Sequence, residues 1–167
     1  MNKKSLSHFV VTSALIAAAY VALTYISPLF GLVYGNALFR ISEGLNILAC
    51  FTPAAIPGLT IGCFLSNLGS PLGILDWFVG TVATLLSAIV IRIISKHFKK
   101  ATPFLSVLPP TVFNALLVGL ELFLLFPENS ASFFIVALGV GFGEMVVCIL
   151  IGIPMYYIFK RHSGKIF

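Results

Sequence analysis

Charge is scarce in this sequence, and negative charge is scarcer still. Only 9% of the 167 residues are charged and five are acidic, against 59% hydrophobic residues and a mean hydropathy of +1.10. A soluble domain usually carries about 25% charged residues, so a water-facing surface is excluded and lipid takes its place. No long polar stretch remains to build a soluble unit, and residues 1–167 read as one integral membrane domain. Cysteine is also rare: Cys50, Cys63 and Cys148 lie in apolar segments without CxxC or Cys/His spacing. That excludes a disulfide framework and a zinc site, and leaves them as small packing residues. There is no P-loop, HExxH, GxSxG or Ser/His/Asp grouping, so hydrolysis of ATP by this chain is excluded and no catalytic residue or cofactor is implied. Gly139-x-Gly141-x-Gly143 is not a nucleotide fingerprint, because no strand precedes it and it falls inside an apolar run.

What is present is long apolar runs broken by turn residues. A bilayer core about 30 Å thick takes about 20 helical residues to cross, and the chain offers about six spans. We expect helices over His8–Ser27, Ala37–Phe51, Ala54–Leu68, Gly73–Ile94, Pro109–Phe126 and Ala131–Phe159. A Gly- and aromatic-rich loop occupies 28–36, and Pro127-Glu128-Asn129-Ser130 forms a tight turn. Lys3 and Lys4 before an apolar run resemble a signal peptide, but the run is long and lacks a cleavage site, so it reads as the first span. The net charge of +5 does not indicate nucleic acid, because the basic residues gather at helix ends. With six spans, Lys3, Lys4, Arg92, Lys96, Lys99, Lys100, Lys160, Arg161 and Lys165 share one side, nine of the ten basic residues. The positive-inside rule makes that side cytoplasmic. The expectation is therefore an all-α membrane protein, multi-pass in a cell membrane, with both termini cytoplasmic. His8, His97 and His162 fall at the same ends and read as interfacial.

Four of the five acidic residues, Glu43, Asp76, Glu121 and Glu144, lie within expected spans. An acidic side chain there costs at least about 2.5–3.5 kcal/mol and marks function by default. Arg40, Glu43 and Asn46 step by three along the second helix, as either an Arg40–Glu43 ion pair or the polar wall of a pocket. Asp76, beside Trp77 in the first turn of its helix, suits an interface anchor or a pocket equally. Glu121 sits about 8 Å from the outer end of its helix at 1.5 Å per residue, and Glu144 near the middle of the last. Both read as pocket residues, or as partners for Arg40, the one basic residue on the outer half. One arginine cannot neutralise four carboxylates. Asn114 reads as a helix–helix bond. Ala14, Ala18 and Ala22 form a smooth stripe that suits close helix contact, inside this chain or with a partner. Gly58/Gly62 and Gly139/Gly143, at the same spacing, read as internal packing.

The run Phe39-Arg40-Ile41-Ser42-Glu43-Gly44-Leu45-Asn46, followed by Phe51-Thr52-Pro53-Ala54-Ala55-Ile56-Pro57-Gly58-Leu59-Thr60-Ile61-Gly62-Cys63, resembles the QueT family. Gly73-Ile74-Leu75-Asp76, Gly80-Thr81-x-Ala83-Thr84-Leu85 and Pro109-Pro110 leading to Asn114-Ala115 extend the resemblance over nearly the whole chain. It implies a six-helix substrate-binding (S) component of an energy-coupling factor importer, which takes up a queuosine precursor of the 7-deazaguanine type through the bacterial cytoplasmic membrane. It implies partners too: a transmembrane coupling subunit (T component), met by the stripe at Ala14, Ala18 and Ala22, and two ATPase subunits. For such a ligand Glu43, Glu121 and Glu144 would accept N–H donors, with Arg40 and Asp76 in the same pocket. Asn46 would read a carbonyl or ring nitrogen, and Trp77, Tyr34 or Phe30 would stack on the base. A stand-alone ion-coupled carrier and an intramembrane enzyme using the buried carboxylates are the alternatives.

Overall fold

The computed structural model describes residues 3–30, 33–34, 37–99, 101–126 and 132–166, with side chains over 5–28, 39–99, 101–126 and 132–162. The chain runs α1 (Lys3–Ile26), a 3-10 turn (Ser27–Phe30), a two-residue antiparallel pairing of β1 (Val33–Tyr34) with β2 (Ala37–Leu38), and a 3-10 helix (Ile41–Cys50). Then come α2 (Ala55–Asn67), α3 (Ile74–His97), α4 (Thr102–Leu105), α5 (Leu108–Leu125), α6 (Phe133–Val147), a π-helical turn (Cys148–Gly152) and α7 (Ile153–Ile166). Four stretches are long and apolar enough to cross a bilayer: Ser5–Ile26, Ile74–His97, Thr102–Leu125 and Phe133–His162. The 3-10 helix and α2 are apolar but short. This is an all-α, multi-pass membrane protein, and its outer surface carries the expected large apolar side chains, among them Leu15, Phe134, Leu138 and Leu150.

The short helices sit inside the bundle. Eight of the ten residues in the 3-10 helix are buried, and the helix touches α1, α2, α3, α6, α7 and the π turn. Weakly bonded backbone is tolerated at membrane depth only where protein shields it from lipid. Both ends of this helix are tied down. At its start the Ile41 backbone N–H donates to Ser27 Oγ at 3.0 Å. At its end the Arg92 guanidinium donates to the carbonyls of Ala49 and Cys50 at 3.4 and 3.0 Å, and Cys50 Sγ meets Ser106 Oγ at 3.3 Å.

The second expected helix begins later than its apolar pattern suggested. Ala37–Leu38 is paired strand, and Arg40 remains extended at φ −82°, ψ 107°. Hydrophobicity alone does not distinguish a buried hairpin arm from a helix start. The last expected helix also departs from regularity, widening to a π turn over Cys148–Gly152. Pro154 follows immediately. It has no N–H to offer the Leu150 carbonyl, and its ring crowds that carbonyl, so the widened turn relieves the conflict. The two irregular helices meet face to face: a Cβ on Gly44 would lie 2.7 Å from Ile151 Cγ2. The expected turn at 127–130, with Glu128, lies outside the described residues.

The core lies between α1, the 3-10 helix, α2 and α3, with Ile16, Tyr20, Leu45, Leu48, Leu59 and Ile91 at its centre. Gly58 and Gly62 let α2 approach α1: a Cβ on Gly62 would lie 2.8 Å from Tyr20 Cβ and 3.0 Å from the Ala17 carbonyl oxygen. On the other side, Gly119 and Gly141 set the α5–α6 approach, facing Ala137 and Ala115. Ala14, Ala18 and Ala22 take no part in this packing and are exposed. Of the two readings of that stripe, internal packing does not hold: α1 meets α2 through Ser13, Ile16, Ala17 and Tyr20. Replacement of Gly62 by valine should cost about 1–3 kcal/mol by overpacking against backbone. Ala18→Leu should change stability by less than about 0.5 kcal/mol. Thermal unfolding of the purified variants in detergent measures both.

Candidate functional site

A 3-10 helix turns once every three residues, so side chains at i and i+3 eclipse. Glu43, Asn46 and Ala49 therefore line up on one edge more strictly than an α-helix would allow, with Arg40 extended just before the helix. Glu43 and Asn46 are 2% and 1% exposed. Around this edge the bundle gathers a buried polar layer in two linked arrays.

The first array is built on Arg40. Its guanidinium donates to Asn67 Oδ1 at 3.0 Å and meets Asp76 Oδ2 at 3.4 Å. Asn67 closes the triangle by donating Nδ2 to the Asp76 carbonyl oxygen at 2.9 Å. Gly80 makes room for it, since a Cβ there would lie 2.5 Å from Asn67 Nδ2. Asp76 is 1% exposed, so it is no interface anchor. The second array is built on Glu43. Tyr20 Oη donates to one carboxylate oxygen and Asn46 Nδ2 to the other, the latter at 2.6 Å. One turn along α1, Thr24 Oγ1 donates to Ser42 Oγ at 2.7 Å. Arg40 and Glu43 thus take different partners, so of the two readings of this helix the Arg40–Glu43 ion pair is not formed.

Glu121 on α5 lies within electrostatic range of Asp76 and Arg40, and Glu144 on α6 within range of Glu43 and Arg40. Neither forms an ion pair with Arg40, whose carboxylate partner is Asp76. The layer thus joins one guanidinium to four carboxylates. Several of its buried atoms have no hydrogen-bond partner within the described protein: Asn46 Oδ1, Asp76 Oδ1, Trp77 Nε1, Thr84 Oγ1, Asn114 Nδ2, both Glu121 oxygens and Glu144 Oε2. Asn114 is 5% exposed and leaves its amide nitrogen unused, which corrects the expected helix–helix bond. Each buried unpartnered group costs about 1–3 kcal/mol. Such atoms are therefore costly to the isolated chain, and the free oxygens of Asn46, Asp76, Glu121 and Glu144 are what a donor-rich ligand would satisfy, whereas Trp77 Nε1 and Asn114 Nδ2 are donors that seek acceptors. Trp77 is half-buried. The side chains of Tyr34 and Phe30 lie outside the described residues.

The sequence model of the family described as QueT transporter matches residues 10–161. The chain belongs to the QueT transporter family. The matched range holds every candidate side chain from Ala14 to Glu144. A curated relative named "Queuosine precursor transporter QueT", from Lactococcus lactis subsp. cremoris (strain MG1363), is 43% identical over 84 residues, 50% of this chain. That match covers 49% of the relative's own length. No solved structure matches significantly.

Sequence reasoning missed Tyr20, Asn67 and Arg92. Tyr20 sits in an apolar helix, and only the hydroxyl among aliphatics gave a signal. Asn67, next to a Gly–Ser–Pro turn, looked like a helix terminus. Arg92 was counted with the cytoplasmic charges, and its carbonyl contacts depend on the 3-10 helix ending beside it.

The Arg40–Asp76 contact can be tested energetically. Arg40→Met should destabilise the protein by about 3 kcal/mol, because it strands a buried carboxylate. Arg40→Met with Asp76→Leu should cost less than Arg40→Met alone, since both charges then leave together. Unfolding in detergent of both single variants and the double variant checks this.

Proposed function

We propose that this chain is the substrate-binding membrane subunit of an energy-coupling factor importer, that it is not an enzyme, and that its ligand is a queuosine precursor, a 7-deazaguanine base. The observation that carries the reading is the buried layer of unpartnered acceptors, in a chain related to a protein named as a queuosine precursor transporter. A deazaguanine offers a flat apolar body and an edge of N–H donors. Carboxylate and amide oxygens accept such donors, and the half-buried Trp77 ring supplies a flat surface for the base.

Accumulation against a gradient requires energy, and the chain carries no nucleotide-binding motif. Partner ATPases, acting through a coupling subunit, supply it. The docking face we assign is the exposed stripe on α1. Ala14, Ala18 and Ala22 line an apolar groove of about 730 Å³ between α1 and α2, together with Ser13, Pro57 and Ile61. Small residues allow a partner helix to come close enough for backbone-to-backbone packing in lipid.

Calorimetry on the purified chain with aminomethyl-deazaguanine, cyano-deazaguanine, queuine and guanine tests the ligand. At least one deazaguanine should bind, and Glu144→Gln should weaken it about tenfold, the equivalent of one buried hydrogen bond. Binding of none of the four would overturn the substrate assignment. The docking face has its own test: Ala18→Leu should retain ligand affinity while losing co-purification with the coupling subunit.

A further inference from the structure

The helix Ile41–Cys50 keeps 3-10 geometry for ten residues, where runs beyond about three or four are uncommon. Its composition does not demand this. The segment has no proline, one glycine, and good helix formers at Glu43, Leu45, Leu48 and Ala49, so an ordinary α-helix is open to it. The tight pattern also ends with the segment. Phe51 N–H donates to the Leu48 carbonyl, three residues back, at 3.0 Å, while Thr52 N–H donates to the same carbonyl, four residues back, at 3.2 Å. The pitch is therefore selected from outside the segment.

Both of its ends are bonded to one neighbour. Arg40, just before the helix, reaches Asp76 in the first turn of α3. Arg92, further along α3, reaches the Ala49 and Cys50 carbonyls at the other end. Asp76 and Arg92 are sixteen residues apart, about 24 Å at 1.5 Å per residue. Ten residues of 3-10 helix cover about 20 Å at 2.0 Å each, and the extended Arg40 adds about 3 Å. The two lengths agree. As an α-helix the same ten residues would cover about 15 Å, leaving one end about 5 Å short of its partner. The edge would rotate too. Residues three apart eclipse in the 3-10 form and sit about 60° apart in the α form, which would turn Asn46 away from Glu43, to which it donates at 2.6 Å. We propose that Arg92 is a positioning residue: by gripping the terminal carbonyls it keeps the 3-10 helix stretched along α3, so that the alignment of Glu43 with Asn46 is set from the far end of the helix. The effect on affinity rests on the ligand reading above; the stretched helix does not.

The test is the pattern of nuclear Overhauser contacts along 41–50 in the whole chain in detergent. A 3-10 helix brings the α-proton of residue i near the amide proton of i+2, and an α-helix brings it near that of i+4. The wild type should show the i+2 contacts. Arg92→Met should replace them with i+4 contacts in the half nearest Cys50, and Arg92→Lys, whose ammonium carries three donors, should restore the wild-type pattern. By calorimetry, affinity for aminomethyl- and cyano-deazaguanine should fall about tenfold in Arg92→Met, the scale of one hydrogen bond to the base, and return to within about threefold of wild type in Arg92→Lys. Contacts of the i+4 type in the wild type would overturn the proposal, and no variant is needed for that. Unchanged i+2 contacts in Arg92→Met would overturn it as well, reducing Arg92 to a simple cap. Where that variant does not fold, the milder Arg92→Gln takes its place under the same outcomes. A changed helix with unchanged affinity would remove the positioning role. Binding of neither base by the wild type would count against the deazaguanine reading, and the contacts alone would then decide whether Arg92 stretches the helix.

Discussion

A guanidinium surrounded by apolar helices must have a carboxylate against it, and much of this bundle follows from where Arg40 finds one. Its partner is Asp76, at the start of α3, where the helix N-terminus already favours negative charge. To reach it, Arg40 stays extended just before the 3-10 helix. Asn67 at the end of α2 holds the pair by accepting from one member and donating to the backbone of the other. Gly80, one turn beyond Asp76, leaves the space that Asn67 fills. Three segments, the start of the 3-10 helix, α2 and α3, are thus fixed against one another by a single ion pair and one amide. Removing one charge strands its partner, which costs more than the pair itself contributes.

The second consequence concerns backbone geometry. A ten-residue 3-10 helix is long for its type, and this one survives by being enclosed. Arg92 and Ser27 satisfy its ends. The π turn lies against Gly44, so one over-tight and one over-wide segment occupy the same interior. The benefit falls on the site. Glu43 and Asn46 share one edge, with Arg40 extended just before it, and their neighbours on α1, α2, α3, α5 and α6 face it.

The all-α, multi-pass class, the approximate limits of the apolar helices and the unusual acidic residues were legible in the sequence, whereas two of the six expected spans are short helices, Ile41–Cys50 and Ala55–Asn67. The legible features depend on hydrophobic run length and on the cost of charge in lipid, and both are local properties. The period-three spacing of Arg40, Glu43 and Asn46 was also legible, although it suits a 3-10 helix and one face of an α-helix alike. Partner choice was not legible. Arg40 is three residues from Glu43 and thirty-six from Asp76, and only the packing of α2 and α3 decides between them. The exposure of Ala14, Ala18 and Ala22 belongs to the same class. Small residues permit close approach, but which helix makes it depends on Gly58 and Gly62 claiming the adjacent face of α1.

That division of α1 into two faces joins the two halves of the proposed function. Tyr20 and Thr24 reach inward to Glu43 and Ser42, while Ala14, Ala18 and Ala22 face outward along the same turns. Over so few turns a hydrogen-bonded helix moves as one body. A ligand that draws the 3-10 helix or Glu43 to a new position must therefore move Tyr20, and with it the alanine groove. Such coupling is reciprocal by thermodynamic necessity: a partner seated on the groove would alter ligand affinity by the same factor that the ligand alters the partner's. The Tyr20–Glu43 bond is the one direct polar link between the carboxylate layer and α1 among the described residues. A coupling signal carried by polar contact can pass through it or through the Thr24–Ser42 bond to the same 3-10 helix, and a further route is the apolar packing of Ile16 and Tyr20 against α2.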